Sequence, residues 1–225
     1  MNLNSGLIAY YLFNGNANNA SGNNLNGTIN GGVTFSNDIH GKANSAATFD
    51  GSSGYISIPD SLGKFQTNAI TISLLVNIAN PSIRQAFVSH VNFSDGSGFS
   101  YNVVISTAST NLPGFGVETN TLSCGMEPYD PTIVVYDGNQ IVANKWYNFT
   151  CIFSDSLQEI FVNGTLNTAV TRNFPTLNKC TSKKALLLGS WWSGDQILLN
   201  GMMDEVRIYN RALNQDEISA LAKPV

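Results

Sequence analysis

Apolar and polar positions trade places in short runs along almost the whole chain, and each run is closed by Asn, Gly, Ser or Pro. Residues 7–13 are mostly apolar between Asn and Gly, the pattern of a strand buried on both faces. Residues 46–49 and 55–58 flank Asp50-Gly51-Ser52-Ser53-Gly54, which predicts a hairpin, and residues 70–76 have strand composition with partial alternation. The clearest pattern covers residues 146–153, where Trp146, Asn148, Thr150 and Ile152 alternate with Tyr147, Phe149, Cys151 and Phe153. Residues 159–162 and 165–170 then flank Asn163-Gly164, the strongest short-range hairpin signal. Residues 185–189 and 203–209 supply the last strands. One helix is predicted: Asn214 with Glu217 three residues on makes a capping-box start for a short helix to Leu221.

Many short strands with one terminal helical turn predict an all-β fold, a two-sheet antiparallel sandwich. No internal repeat or linker divides the chain, so residues 1–225 are read as a single domain. Residues 81–131 are the least regular and suggest long loops.

Composition agrees with that fold and narrows the partners. Twelve Phe and eight Tyr suit strands, and a charged fraction of 12% leaves little for the outer faces of helices. A net charge of −4 with no basic run beyond Lys183-Lys184 argues against nucleic acid and anionic membranes. No apolar stretch is long enough to span a membrane, and the first residues lack the order of a signal peptide. The three cysteines fit no zinc or redox spacing. Cys151, inside an alternating strand, is expected to be a free buried thiol. Cys124 and Cys180 lie in turn-rich segments and are able to pair in an oxidising compartment, although spacing alone does not establish proximity.

Several segments resemble a known family. Residues 6–14 (Gly-Leu-Ile-Ala-Tyr-Tyr-Leu-Phe-Asn) resemble the first strand of laminin-G-like, concanavalin A-like jelly-roll domains, and residues 19–28 are similar to that family's Ser-Gly-Asn loop. Ala47-Thr48-Phe49-Asp50-Gly51 with Tyr55-Ile56 is similar to its next hairpin. Residues 201–213 (Gly-Met-Met-Asp-Glu-Val-Arg-Ile-Tyr-Asn-Arg-Ala-Leu), with the helix at Glu217-Ile218, look like the closing signature of many bacterial members. The resemblance implies two stacked antiparallel sheets of six or seven strands each, one concave, with the first and last strands side by side. Residues 80–140 match nothing recognisable in it.

Related jelly rolls include β-glucanases, whose paired carboxylates share one strand at every second residue. A retaining mechanism needs two carboxyls about 5–5.5 Å apart. The five glutamates (Glu118, Glu127, Glu159, Glu205, Glu217) form no such run, and the adjacent pairs Asp204-Glu205 and Asp216-Glu217 would face opposite sides of a strand. His40 and His90 stand alone in the sequence, and no nucleophile elbow or phosphate loop is present. Hydrolysis is therefore disfavoured, unless dispersed carboxylates converge in space.

Structural calcium has better support. Antiparallel first and last strands would bring Asn14, just after one, near Asp204, at the start of the other, and Asn19 and Asp50 are placed to close the shell. The resemblance points the same way, since calcium commonly ties these ends together in jelly-roll relatives. Many relatives carry Asp where this chain has Asn14 and Asn19, and fewer charges mean weaker binding. The alternative is that both Asn residues only shape turns and Asp204 pairs with Arg207 or Arg211.

For a ligand, Trp191-Trp192 with Asp195 offers flat aromatic faces beside hydrogen-bonding groups, as sugars require, and Tyr129 with Tyr136 forms a second polar-aromatic cluster. Against this stands a Trp that simply fills the end of the core. Five Asn-x-Ser/Thr sequons add nothing beyond what so Asn-rich a chain would produce. The expected function is non-catalytic carbohydrate or glycan recognition in a secreted or cell-surface protein, beside other domains of a larger chain. A glycan-degrading enzyme and a structural or protein-interaction spacer are the alternatives.

Overall fold

The computed structural model describes residues 2–60, 63–65, 67–90, 100–106, 121–127, 135–136, 141–154, 156–171, 185–191, 194 and 196–223. Two antiparallel sheets stack face to face. The first contains β1 (Leu7–Tyr11), β3 (Thr34–Ser36), β4 (Ala46–Asp50), β6 (Ala69–Ile78), β11 (Trp146–Ser154), β12 (Leu157–Val162), β13 (Thr165–Thr171) and β15 (Asn200–Tyr209). The second contains β2 (Thr28–Asn30), β5 (Tyr55–Ile58), β7 (Gln85–His90), β8 (Ser100–Ser106), β9 (Thr121–Glu127), β10 (Val135–Tyr136) and β14 (Leu186–Leu188). Residues 81–131, expected as loops, thus carry β7, β8 and β9.

The alternation around Trp146 sets the layers. Tyr147, Phe149, Cys151 and Phe153 on β11, and Ile70, Ile72, Leu74, Val76 and Ile78 on β6, all enter the core between the sheets. Their odd-even neighbours, including Trp146, Asn148, Asn77 and Ser73, therefore point outward. Asn163 and Gly164, at φ +51° and +79°, supply the left-handed pair that a two-residue turn between β12 and β13 requires. A helix, α1 (Gln215–Leu221), follows β15 and covers part of the outer face, where Leu213, Ile218 and Leu221 bury Ile152, Phe161 and Tyr209. Its capping box forms as expected: Asn214 Oδ1 accepts from Glu217 N–H, and Glu217 Oε2 accepts from Asn214 N–H, each at 3.0 Å.

The first and last strands do pair. β1 runs antiparallel to β15, with Tyr10 opposite Arg207 and Tyr11 opposite Val206. β4 pairs with the other half of the same flank, from Asn200 to Met203, so the sheet counts eight strands while being seven wide.

The cysteine pairing differs from expectation. Cys151 is not free: it is disulfide-bonded to Cys124, with Cα atoms 6.6 Å apart. β9 and β11 face each other from opposite sheets, and both cysteines are fully buried, a proximity that spacing along the chain does not carry. Cys180 lies outside the described residues.

Candidate functional site

The shared flank of β15 leaves a gap. β4 ends its pairing at Met203 and β1 begins at Val206, so Asp204 and Glu205 have no strand partner on that side. On the other side, pairing jumps from Asp204 opposite Leu75 to Arg207 opposite Ser73, so one residue of β15 is extra. This bulge places Glu205 at φ +52°, unusual for a residue with a Cβ. The gap opens into a pocket of about 320 Å³ lined by Asn14, Asp38, His40, Lys42, Asp204 and Glu205, among others.

Three segments build it. Asn14 follows β1 after a turn in which Phe13 takes φ +47°. The β3–β4 loop folds around Asp38, whose Oδ1 accepts from the N–H groups of His40 (2.8 Å) and Lys42 (2.9 Å). That loop delivers Lys42 Nζ to Asn14 Oδ1, at 2.9 Å. The bulge supplies the two acids.

These acids differ sharply in company. Glu205 is satisfied: its Oε2 accepts from the Tyr10 hydroxyl at 2.6 Å and is ion-paired with Arg207. Arg207 in turn donates to the Tyr10 hydroxyl and lies over its ring, 4.1 Å from the centroid. Burial and the hydrogen bond to Glu205 push the Tyr10 phenol up. Asp204 is only 5% exposed, and among the described residues no cation pairs with it, contrary to the Arg207 or Arg211 pairing considered above. Its Oδ1 accepts from the Glu205 N–H at 2.7 Å. Burial, helped by the charges of Glu205 and Asp38, raises it to about 7, against that backbone hydrogen bond.

A carboxyl raised in the folded state binds its proton more readily there than in the unfolded chain, so its ionisation weakens the fold as pH rises from about 4 through 7. In metal-free buffer the melting temperature is expected to climb on this account as pH falls from 8 towards 5, and Asp204→Asn should flatten the slope. Unchanged slopes in wild type and variant would show that Asp204 does not titrate there.

The other expected metal ligands do not join this pocket. Asn19 pins its loop to β1, its Oδ1 accepting from the N–H groups of Tyr10 (2.9 Å) and Ser21 (3.0 Å). Asp50 sits at the far end of β4, opposite Asn200, four residues along β15 from Asp204 and so about 13 Å away. Its carboxylate caps the hairpin turn, accepting from the N–H groups of Ser52, Ser53 and Gly54 and the hydroxyls of both serines. Those bonds, the Ser53 N–H first, hold it well below the usual carboxylate range. Among the described residues, no three His, Cys, Asp or Glu side chains gather closely enough to hold a metal by themselves. A cation at Asp204 would draw on amide and main-chain oxygens as well. Its hard oxygen donors and unpaired buried charge fit calcium chemically.

Trp191 is 6% exposed, with the Arg84 guanidinium 4.5 Å from its ring centroid, which leaves little ring surface for a ligand. Trp192, Asp195 and Tyr129 lie outside the described residues; of Tyr136 only the backbone is described, opposite Ser123 in β10. Sequence reasoning did not mark Asp38 or Lys42, and weighed Glu205 only as half of an adjacent acid pair; the gap between β1 and β4 brings the three together. No signal along the chain announces such a gap.

The sequence profile of the concanavalin A-like lectin/glucanases superfamily matches residues 50–219. The chain belongs to that superfamily. Among curated proteins none is similar enough in sequence to match. Solved concanavalin A-like structures share the fold. Domain 4 of AbnA, a GH43 extracellular arabinanase from Geobacillus stearothermophilus solved with arabinotriose, is 21% identical, with 96% of this chain and 98% of that one covered and a TM-score of 0.72. The receptor-binding domain of botulinum neurotoxin C/D mosaic serotype is 15% identical, with 98% and 51% covered and a TM-score of 0.68. The binding domain of Paraclostridial Mosquitocidal Protein 1 is 16% identical, with 98% and 52% covered and a TM-score of 0.67. This chain thus spans about half of each of these two binding domains. Among the described residues no helix is long and apolar enough to cross a membrane.

Proposed function

We propose that this domain is a non-catalytic carbohydrate-recognition module of a secreted or cell-surface protein, stabilised by calcium at the β15 bulge. The observation that carries the calcium is Asp204, a buried carboxyl without a cation partner among the described residues, where the first and last strands meet. Buried charges are ordinarily paired or metal-bound. Asp204 would hold the ion with main-chain oxygens, and with the Asn14 side-chain oxygen once Lys42 Nζ moves off it, and the ion would supply the missing positive charge and tie β1 to β15. Recognition is supported by the superfamily and by a similar fold, over nearly the full length of both chains, in a domain solved with arabinotriose. A disulfide within the core suits an oxidising, extracellular setting.

Millimolar calcium is expected to raise the melting temperature and chelation to lower it, with Asp204→Asn abolishing the difference. An identical melt in calcium and chelator would end the calcium reading. A printed glycan array tests recognition.

A second reading has one observation in its favour. Asp38, Asp204 and Glu205 line one pocket, and a carboxyl raised to about 7 suits a general acid. Glu205, held by Tyr10 and Arg207, is poorly placed to act as the partner base or nucleophile. Reducing-sugar release from a polysaccharide panel, lost in Asp204→Asn, would favour this enzyme over the recognition module.

A further inference from the structure

The outer face of the eight-stranded sheet carries ordered rows of side chains beyond the edge of α1. Asn148 and Thr150, successive outward residues of β11, and Ser73, opposite Thr150 on β6, hydrogen-bond to one another and are buried, so their polar groups are answered within the protein. The next row is different. Trp146 on β11 stands opposite Asn77 on β6, Asn77 opposite Met202 on β15, and Met202 opposite Thr48 on β4. Asn77 is 8% exposed, and its amide makes no hydrogen bond among the described residues; its nitrogen and oxygen are not among the enclosed side-chain atoms, so the amide opens onto the outer face. A side chain held in place by its packed stem, with its amide open and unbonded, is ready to meet a hydroxyl of a ligand. Beside it, Trp146 is half-buried on the polar side of its strand, opposite to the core-facing Tyr147 and Phe149, and its indole N–H also makes no hydrogen bond within the described protein.

We infer that this row is the glycan-binding platform, taking a neutral sugar ring against Trp146 with its hydroxyls bonded to the Asn77 amide and the indole N–H. The chemistry follows from the row itself. It contains an aromatic face, a thioether, a hydroxyl and a free amide but no charged side chain, so it suits a neutral hydroxylated ligand over an acidic or cationic one. Four neighbouring strands set its length at about 14 Å, the scale of a short oligosaccharide. Asp204 lies two residues from Met202 on the same face, so a calcium there would brace the strand beneath the sugar.

The assignment rests on the carbohydrate-recognition reading, and the two fail differently. The wild-type domain is first screened on a printed array of neutral and sialylated oligosaccharides, and the best binder is then titrated by calorimetry against wild type, Trp146→Ala and Asn77→Ala. Trp146→Ala is expected to weaken binding by about tenfold or more and Asn77→Ala by about fivefold, with a neutral glycan as the preferred ligand. Asn77 makes no bond that the fold needs, so its variant decides the matter should Trp146→Ala fail to fold. Wild-type affinity in a folded variant would overturn the platform while leaving recognition standing. A preference for sialylated over neutral glycans would overturn the neutral-ring assignment. No binding by the wild-type domain to any glycan would remove both.

Discussion

Phe149→Ala is expected to lower the melting temperature by about 10 °C, the largest loss from any single truncation considered. Phe149 is fully buried, and its ring stacks on Phe87 of the opposite sheet at 5.9 Å and on Tyr147 of its own strand at 5.7 Å. It therefore ties the two layers together at the middle of the core. Removing a buried Phe side chain costs about 3–5 kcal/mol, because the lost transfer energy is joined by that of the cavity left behind. In a domain of this size each kcal/mol moves the melting temperature by roughly 2–4 °C. Differential scanning calorimetry checks it, and a shift below about 3 °C would mean that the sheets close over the gap.

Cys151→Ser is the second. The disulfide from Cys124 to Cys151 closes a loop spanning 27 residues. The entropy withheld from the unfolded chain by a loop of that length corresponds to about 3.5 kcal/mol, or roughly 7–14 °C in melting temperature. The variant also leaves a hydroxyl in a fully buried position, which adds to the loss. Reduction with dithiothreitol in the wild type should reproduce most of the shift. A variant as stable as wild type, with no response to reductant, would show that the two thiols are not joined in solution.

Local periodicity carried much of the fold. The alternation from Trp146 to Phe153 stated which side of β11 faces inward, and the Asn163-Gly164 turn and the Asn214 cap fell where their dipeptide and capping chemistry put them. Three strands between Gln85 and Glu127 were hidden because Gly, Ser and Thr there read as loop, although neighbouring strands hold the segment in sheet. The cysteine pairing was illegible for a related reason: with β9 unseen, nothing aimed Cys124 at β11.

The site was legible in outline only. Bringing Asn14 and Asp204 to one pocket needed just the neighbouring of first and last strands. That Asn19 and Asp50 are occupied with their own turns could not be seen, because short-range hydrogen bonds from Asx side chains compete with any distant ligand. Trp191 drew attention as half of a tryptophan pair and is buried under Arg84. Trp146, the isolated one, had a signal of its own: it lies on the side of β11 away from the aromatic residues that fill the core.

The place of β15 also governs the order in which the domain can be completed. Among the described residues β1 pairs with no strand other than β15, so the first strand of the domain to be made waits for the last, from Leu7 to Tyr209. Until residues 200–209 emerge, β6 and β4 each present an open edge toward the slot that β15 will fill. Contacts so distant along the chain make for slow folding, and unpaired edges are prone to capture by other chains. A nascent domain of this design is therefore most vulnerable just before its synthesis ends, and the closing strand is the step that releases it from that hazard.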